Sequence, residues 1–160
     1  MIRLQGVSKR YKGASTYAVR DLDLEVRPGE IFGFLGPNGA GKTTTIKMIV
    51  GLLKADQGKV LVNGHDLTLD PIAAKRSMGY VPDKPDLYPR LTGLEYLNLI
   101  GDVYGVDGPT RSKRLAHYLE MFQLTEAVGD LIQSFSRGMQ QKLALTGALL
   151  HAPALFILDE

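Results

Sequence analysis

The stretch GPNGAGKT, residues 36–43, decides the fold of this 160-residue chain. It fits the pattern G-x-x-x-x-G-K-[ST] at every specified position, follows an apolar run, EIFGFL at 30–35, and precedes an apolar stripe of helical spacing. Glycines let the backbone curl so that successive N–H groups point inward, and the start of a following helix adds positive potential. The segment therefore predicts a loop, between a strand and a helix, that binds the phosphates of a nucleotide.

Two side chains complete the predicted phosphate site. Lys42 carries a positive charge to the outer phosphates, and Thr43 places a hydroxyl where Mg²⁺ would bridge the β- and γ-phosphates. The simpler alternative is a glycine-rich turn before an ordinary helix. A lysine at a helix start opposes the helix dipole, which costs about 0.3 kcal/mol or more without an anion. The phosphate-binding interpretation is therefore favoured.

A second apolar run, LFILDE at 155–160, ends in two carboxylates. An Asp at the end of a buried strand can hold the metal through its water shell, and a following carboxylate can orient and deprotonate a water molecule. We therefore expect Asp159 at the metal and Glu160 as the catalytic residue. Taken alone, the run could equally be a strand that ends in two solvated acids. The phosphate-loop pattern earlier in the chain favours the functional interpretation.

Composition narrows the class of protein. A formal charge of +2, from 19 basic and 17 acidic residues, provides no basic field that would favour nucleic acid. The chain has no cysteine, which excludes disulfides and thiolate metal sites. Its longest apolar stretch, GALLHAPALFIL at 147–158, is too short to span a membrane and is broken by His151 and Pro153. We expect a soluble, cytoplasmic chain without a nucleic-acid partner.

Hydrophobic periodicity predicts an α/β fold. Two alternating segments, IRLQGV at 2–7 and DLDLEV at 21–26, predict an antiparallel opening sheet, whereas the continuous run at 30–35 predicts a strand covered on both faces. Thr92 with Glu95 forms a capping-box pattern before an all-helical region. Further elements are expected as strands at 59–63, 78–82 and 154–158 and as helices near 71–77, 93–104 and 110–123. We interpret residues 1–160 as one nucleotide-binding domain, in parts 1–91, 92–135 and 136–160.

The sequence resembles the ATP-binding cassette of ABC transporters over essentially its whole length. GPNGAGKTTT is similar to the Walker A motif of that family, and LFILDE to its Walker B motif. The resemblance implies a P-loop NTPase fold with an antiparallel β part, a mixed core sheet and a helical insertion. It also implies ATP and Mg²⁺ as cofactors. The Walker A residues expected to bind ATP are Gly36, Pro37, Asn38, Gly39, Ala40, Gly41, Lys42, Thr43 and Thr44.

The segment FSRGMQQKLALTGALLHAP, residues 135–153, resembles the family signature and the helix after it. Ser136 is a sound helix N-cap, and the apolar residues Leu143, Leu145, Ala148 and Leu149 predict a buried stripe. By resemblance, Ser136 and Gly138 contact the γ-phosphate of ATP held by a second cassette, in a head-to-tail dimer. An ordinary capped helix is the alternative.

Two further site residues follow from the resemblance. Tyr11 matches the aromatic residue that stacks on adenine, although an exposed turn tyrosine is the alternative. The segment at 81–93 occupies the family's Q-loop, which implies contact with a membrane permease through residues 83–91. The usual glutamine is replaced by Asp83, which we expect near the metal. The signature carries Arg137 and Met139 where the family usually has Gly and Gln, a form similar to exporters with separate permeases.

The resemblance implies an ATP-binding subunit that hydrolyses Mg-ATP to drive export and that lies on the inner face of the cell membrane through the permease. In the family, a later strand with a histidine for the γ-phosphate lies beside the Walker B strand. We expect that strand beyond residue 160, and residues 1–160 alone to be inactive. Two alternatives remain: a nucleotide-binding module without hydrolysis, and a soluble ABC ATPase outside transport.

Overall fold

The computed structural model describes residues 1–159, which form two compact units, residues 1–78 and the residues from 79 onward. The predicted division after residues 91 and 135 stays a prediction.

A four-stranded antiparallel sheet forms the body of the first unit. Its strand order is β2-β1-β3-β4, and β1 pairs with both β2 and β3. The opening antiparallel pair predicted from alternating residues is therefore confirmed. Leu4, Val7 and Val62 are almost completely buried on one face of this sheet. The strands are β1 (Ile2–Lys9), β2 (Val19–Val26), β3 (Gln57–Val62) and β4 (His65–Asp66).

Two helices belong to the first unit. Helix α1 (Lys42–Ile49) buries Thr45, Met48 and Ile49 and contacts β3. Helix α2 (Pro71–Arg76) starts with a proline, whose fixed φ suits the first helical turn, and the Asp70 side chain accepts a hydrogen bond from the Ala73 N–H. Both helices lie where the apolar spacing predicted them.

The second unit is mainly helical. Leucine and isoleucine side chains from its helices and their connections form one buried cluster that includes Leu97, Leu124, Ile132, Leu143 and Leu150. This result confirms the helical region predicted from residue 92. The elements are β5 (Met78–Val81), α3 (Gly93–Val103), α4 (Gly108–Met121), a 3₁₀ turn (Ile132–Ser134), α5 (Arg137–Leu150) and β6 (Leu155–Leu158), and β5 pairs with β6 in a two-stranded sheet.

Side-chain caps fix the starts of the three long helices. At α3 the predicted capping box is complete: the Glu95 N–H donates to Thr92 Oγ1 at 3.2 Å, and the Thr92 N–H donates to Glu95 Oε2 at 2.8 Å. Asp107 caps α4, and Ser136 caps α5 as predicted. These contacts satisfy N–H groups that the first turn of a helix leaves without partners.

The strand predicted at 30–35 is not formed, and that expectation is wrong for the described chain. No backbone hydrogen bond joins residues 31–35 to another residue within 1–159. The Ile31 side chain is 101% exposed and Leu35 is 93% exposed. An extended segment becomes a strand only when a neighbour accepts and donates its backbone hydrogen bonds. An apolar sequence alone does not provide that neighbour.

Candidate functional site

The phosphate loop depends on glycines with positive φ. Gly39 has φ 83° and Gly41 has φ 87°, a left-handed conformation that other residues rarely adopt. Gly41 is also the N-cap of α1, and a Cβ added there would lie 2.5 Å from the Ala18 carbonyl oxygen. Within the loop, the Ala40 N–H donates a hydrogen bond to the Pro37 carbonyl at 3.2 Å. Only glycine fits at residue 41.

The N-terminus of α1 is open to an anion. No described side chain caps it, and no acidic residue lies in its first turn. The N–H groups of residues 42–44 precede the first helical hydrogen bond, which the Thr45 N–H makes to the Gly41 carbonyl, and the helix dipole makes this end positive. The charge and the hydrogen-bond donors of this end therefore suit a phosphate group.

Lys42 lies folded against the loop. Its Nζ atom donates to the Gly36 carbonyl at 2.6 Å and to the Pro37 carbonyl at 3.0 Å. Phosphate oxygens carry negative charge and make stronger hydrogen bonds with an ammonium group than neutral carbonyls do. The lysine therefore holds a positive charge at the loop, and this charge would attract an anionic ligand.

Tyr11 lies beside the first turn of α1. Its hydroxyl is 3.2 Å from Thr44 Oγ1, and the residue is 46% exposed. The structure thus brings together the predicted adenine-stacking residue and a predicted phosphate-binding residue that is 33 positions later in the chain. The exposed ring leaves apolar surface on which a base can stack.

Asp159 directly follows β6 in the second unit. Its backbone N–H donates to the Val81 carbonyl at 3.0 Å, and the Tyr80 hydroxyl donates to Asp159 Oδ2 at 3.5 Å. Burial, followed by the negative charge of Asp159, raises the pKa of Tyr80. The strand before it is less buried than predicted, since Leu158 is 57% exposed. Glu160, the predicted catalytic residue, lies outside the described residues.

The signature residues lie at the first turn of α5. Ser136 Oγ accepts a hydrogen bond from the Met139 N–H at 3.2 Å, and a Cβ at Gly138 would meet only Ser136 Oγ, at 4.0 Å. The turn is therefore open around Gly138. The buried stripe differs from the predicted one: Leu143 is buried as expected, but Leu145, Ala148 and Leu149 are only half-buried. The buried face of α5 is instead formed by Leu143, Ala144, Thr146, Gly147 and Leu150.

Asp83 forms an ion pair that sequence reasoning missed. Its Oδ1 atom lies 3.0 Å from Nη2 of Arg137, which directly follows the N-cap of α5. These two residues were the two charged departures from the family pattern. The opposite charges of these two residues are the feature of the sequence that could have suggested the contact.

The described side chains suit a nucleotide with magnesium. Within residues 1–159, no group of three His, Cys, Asp or Glu side chains converges to hold a metal. Mg²⁺ in nucleotide sites is usually held by one or two side chains together with phosphate oxygens and water, so it does not need such a cluster. A hydroxyl at Thr43 and a carboxylate at Asp159 are chemically suitable ligands.

No helix within residues 1–159 is both long and apolar enough to cross a lipid bilayer.

Comparisons with known proteins identify the family of this chain. The sequence profile of the family described as "ABC transporter" matches residues 19–160. The linearmycin resistance ATP-binding protein LnrL of Bacillus subtilis is 41% identical over the whole chain, which covers 51% of that protein. A solved ATP-binding subunit of an ABC transporter superposes with a TM-score of 0.94 at 34% identity, over 100% of this chain and 66% of the other.

A dimeric ATP-binding cassette bound to ADP and Pi gives a TM-score of 0.87 at 29% identity, over 100% of this chain and 74% of the other. The chain spans about half the length of the first curated relatives that it matches. Its fold is that of the ABC ATPases. The chain therefore belongs to the ABC transporter family and corresponds to the ATP-binding cassette.

Proposed function

We propose that the whole protein is the ATP-binding subunit of an ABC exporter, and that it binds and hydrolyses Mg-ATP as half of a cassette dimer. The observation that carries this proposal is the phosphate loop: an uncapped helix α1, a positive-φ glycine at residue 41 and the Lys42 ammonium group held against the loop. These features supply donors and positive charge for a triphosphate. ATP binding by relatives of the same family supports it.

In the first unit, the loop residues would bind the nucleotide by their backbone N–H groups. The residues proposed for this contact are Gly36, Pro37, Asn38, Gly39, Ala40 and Gly41. Lys42 neutralises the outer phosphates, and Thr43 and Thr44 offer hydroxyl groups at the start of α1. The Tyr11 ring stacks on the adenine, held near α1 by its hydroxyl contact with Thr44.

In the second unit, Asp159 and Asp83 would hold the magnesium ion directly or through its water shell. Bound Mg²⁺ supplies charge neutralisation during phosphoryl transfer. Glu160 would orient and deprotonate the attacking water. Ser136 and Gly138 would face the γ-phosphate bound to a second copy or a related cassette, which the dimeric state of a solved relative supports.

A groove in the second unit supports a permease contact. It has a volume of about 290 Å³, and its walls include four residues of the loop between β5 and α3, Pro82, Pro85, Asp86 and Leu87. Tyr96 and Tyr104 of the helical part complete an apolar wall. We propose that a segment of the permease contacts residues 83–91 at this groove, which would hold the protein at the inner face of the membrane. The name of LnrL, a resistance protein, supports export as the direction.

The test is ATP hydrolysis by the purified whole protein and by its Lys42→Ala variant. Removal of an electrostatic group that stabilises a transition state typically lowers kcat by about 10²- to 10³-fold, and we expect a loss of this size. Circular dichroism is the control for folding. Hydrolysis that survives in a folded Lys42→Ala variant would refute the proposed function.

A further inference from the structure

We propose that the Asp83–Arg137 ion pair links the two ATP sites of the cassette dimer. The inference rests on the proposed function, which assigns Asp83 to the metal of its own site and Ser136 with Gly138 to the ATP of the other cassette. The ion pair joins these two groups within one chain, at 3.0 Å between Asp83 Oδ1 and Arg137 Nη2. It therefore connects residues that serve different ATP molecules.

A second contact joins the same loop and the same helix, so the connection does not depend on the ion pair alone. Gln141 lies one helical turn after Arg137, on the same face of α5. Its Nε2 atom donates to the Pro82 carbonyl at 3.4 Å. The loop at 82–83 is therefore attached to the first turns of α5 at two adjacent points. A displacement of this loop acts on the turn that carries Ser136.

The pair is suited to exchange partners because it is exposed. The side chains of Arg137 and Asp83 are 73% and 44% exposed, and ion pairs of this kind contribute little to folding stability. A divalent cation beside the carboxylate attracts the carboxylate and repels the guanidinium group, so the ion pair becomes weaker. Occupation of the metal site beside Asp83 would then loosen Arg137 and the first turn of α5. In this scheme Arg137 is a positioning residue that acts through Asp83.

The glutamine of the usual family pattern could not make such a contact with the usual glycine. A neutral amide does not attract a cation as a carboxylate does, and glycine has no side chain to pair. In this chain Asp83 replaces the usual glutamine and Arg137 replaces the usual glycine, and the ion pair requires both differences. The proposed link therefore depends on the two positions at which this chain departs from the usual motifs.

The first measurement is amide hydrogen exchange in the nucleotide-free whole protein. We expect residues 82–91 to exchange faster in Arg137→Gln and in Asp83→Asn than in the wild type, because each variant removes one of the two contacts that attach the loop to α5. Arg137→Lys keeps the charge and should exchange nearly as the wild type does. The matched control is Arg3→Gln, which breaks the similarly exposed Arg3–Glu25 pair of the first unit and should leave residues 82–91 unchanged. Unchanged exchange in Arg137→Gln would overturn the inference.

The second measurement is the ATP dependence of hydrolysis. Two sites that favour each other's occupation give a Hill coefficient above 1, and we expect it to fall towards 1 in Arg137→Gln and Asp83→Asn but not in Arg137→Lys or Arg3→Gln. The double variant Asp83→Asn/Arg137→Gln should have the same Hill coefficient as Asp83→Asn alone, since removal of either partner breaks the same ion pair. A wild-type Hill coefficient of 1, or an unchanged coefficient in the variants, refutes the link while Lys42-dependent hydrolysis remains. A wild type without hydrolysis refutes the proposed function itself.

Discussion

At the scale of single residues, Gly41 has the most restricted environment in the phosphate loop. Its φ is 87°, and an added Cβ would lie 2.5 Å from a backbone oxygen. Gly41→Ala combines the cost of the left-handed conformation, about 1 to 2 kcal/mol, with an overpacking cost of about 1 to 3 kcal/mol. We expect a loss of about 2 to 5 kcal/mol in the free energy of unfolding, measured by denaturant titration.

Gly29 provides the matched control for that prediction. It also has a positive φ, 77°, but a Cβ there would have no atom within 4 Å. Gly29→Ala should therefore lose only the conformational part, about 1 to 2 kcal/mol. Equal losses in the two variants would mean that the close approach to Ala18 does not contribute.

Tyr11 permits a separate test of base stacking. Stacking of one base on an aromatic side chain contributes about 1 to 3 kcal/mol, so Tyr11→Ala should weaken ATP binding by about 5- to 150-fold. Tyr11→Phe keeps the ring and removes only the exposed hydroxyl contact with Thr44. We expect this variant to bind ATP within about threefold of the wild type, since an exposed hydrogen bond contributes little. Equilibrium binding of a fluorescent ATP analogue measures both, and equal weakening would contradict a stacking role.

Residue patterns predicted the site unevenly. The phosphate loop was identified because all its requirements lie within eight consecutive residues, 36–43. The Asp83–Arg137 pair was not predicted, because its members are 54 positions apart and no local rule joins them. Each residue was noticed only as a departure from the family pattern. Contacts between distant residues require the fold before they can be proposed.

At the scale of elements, the features that could be predicted are those that depend on residues close together in the chain. The start of α3 was predicted because Thr92 and Glu95 satisfy each other's backbone N–H groups within four residues. The segment at 30–35 was mispredicted as a strand because a strand depends on a partner elsewhere in the chain. The apolar residues of that segment indicate only that its side chains favour burial. They do not identify the neighbour.

The capping box of α3 should make stability depend on pH. Hydrogen bonds from the Thr92 N–H and then from the Thr92 hydroxyl lower the pKa of Glu95. A lowered carboxyl pKa adds stability that is fully present above the ordinary glutamate pKa and is lost as the pH falls through the lowered value. We expect the unfolding free energy of the wild type to decrease over that acidic range.

Glu95→Gln isolates this contribution. Glutamine can make the same capping contact but does not titrate, so the variant should lack this decrease. The difference in unfolding free energy between the two proteins should therefore shrink as the pH falls. Denaturant titrations from neutral to acidic pH measure it. A constant difference between wild type and Glu95→Gln at every pH would contradict the role of the carboxylate.

At the scale of the whole molecule, the proposed dimer requires one helix end to serve two purposes. Ser136 caps α5 within its own chain and is proposed to face the γ-phosphate bound to the other cassette. Aspartate caps helices about as well as serine, so Ser136→Asp should change the unfolding free energy by less than about 0.5 kcal/mol. It also places a negative charge where the partner's phosphate is expected. Like charges at an interface cost several kcal/mol, so assembly driven by ATP should fail.

Thr92→Asp is the control for this last prediction, because Thr92 is also a helix N-cap in the second unit but has no proposed nucleotide contact. Both variants should keep the wild-type far-ultraviolet circular dichroism. Analytical ultracentrifugation with Mg-ATP should give dimers for the background protein and for Thr92→Asp, and monomers for Ser136→Asp. Every protein carries Glu160→Gln, which we expect to suppress hydrolysis because Glu160 is the proposed catalytic residue. Dimers of Ser136→Asp would show that the first turn of α5 does not face a phosphate. They would restrict Ser136 to its capping role and leave the Walker A assignment untouched.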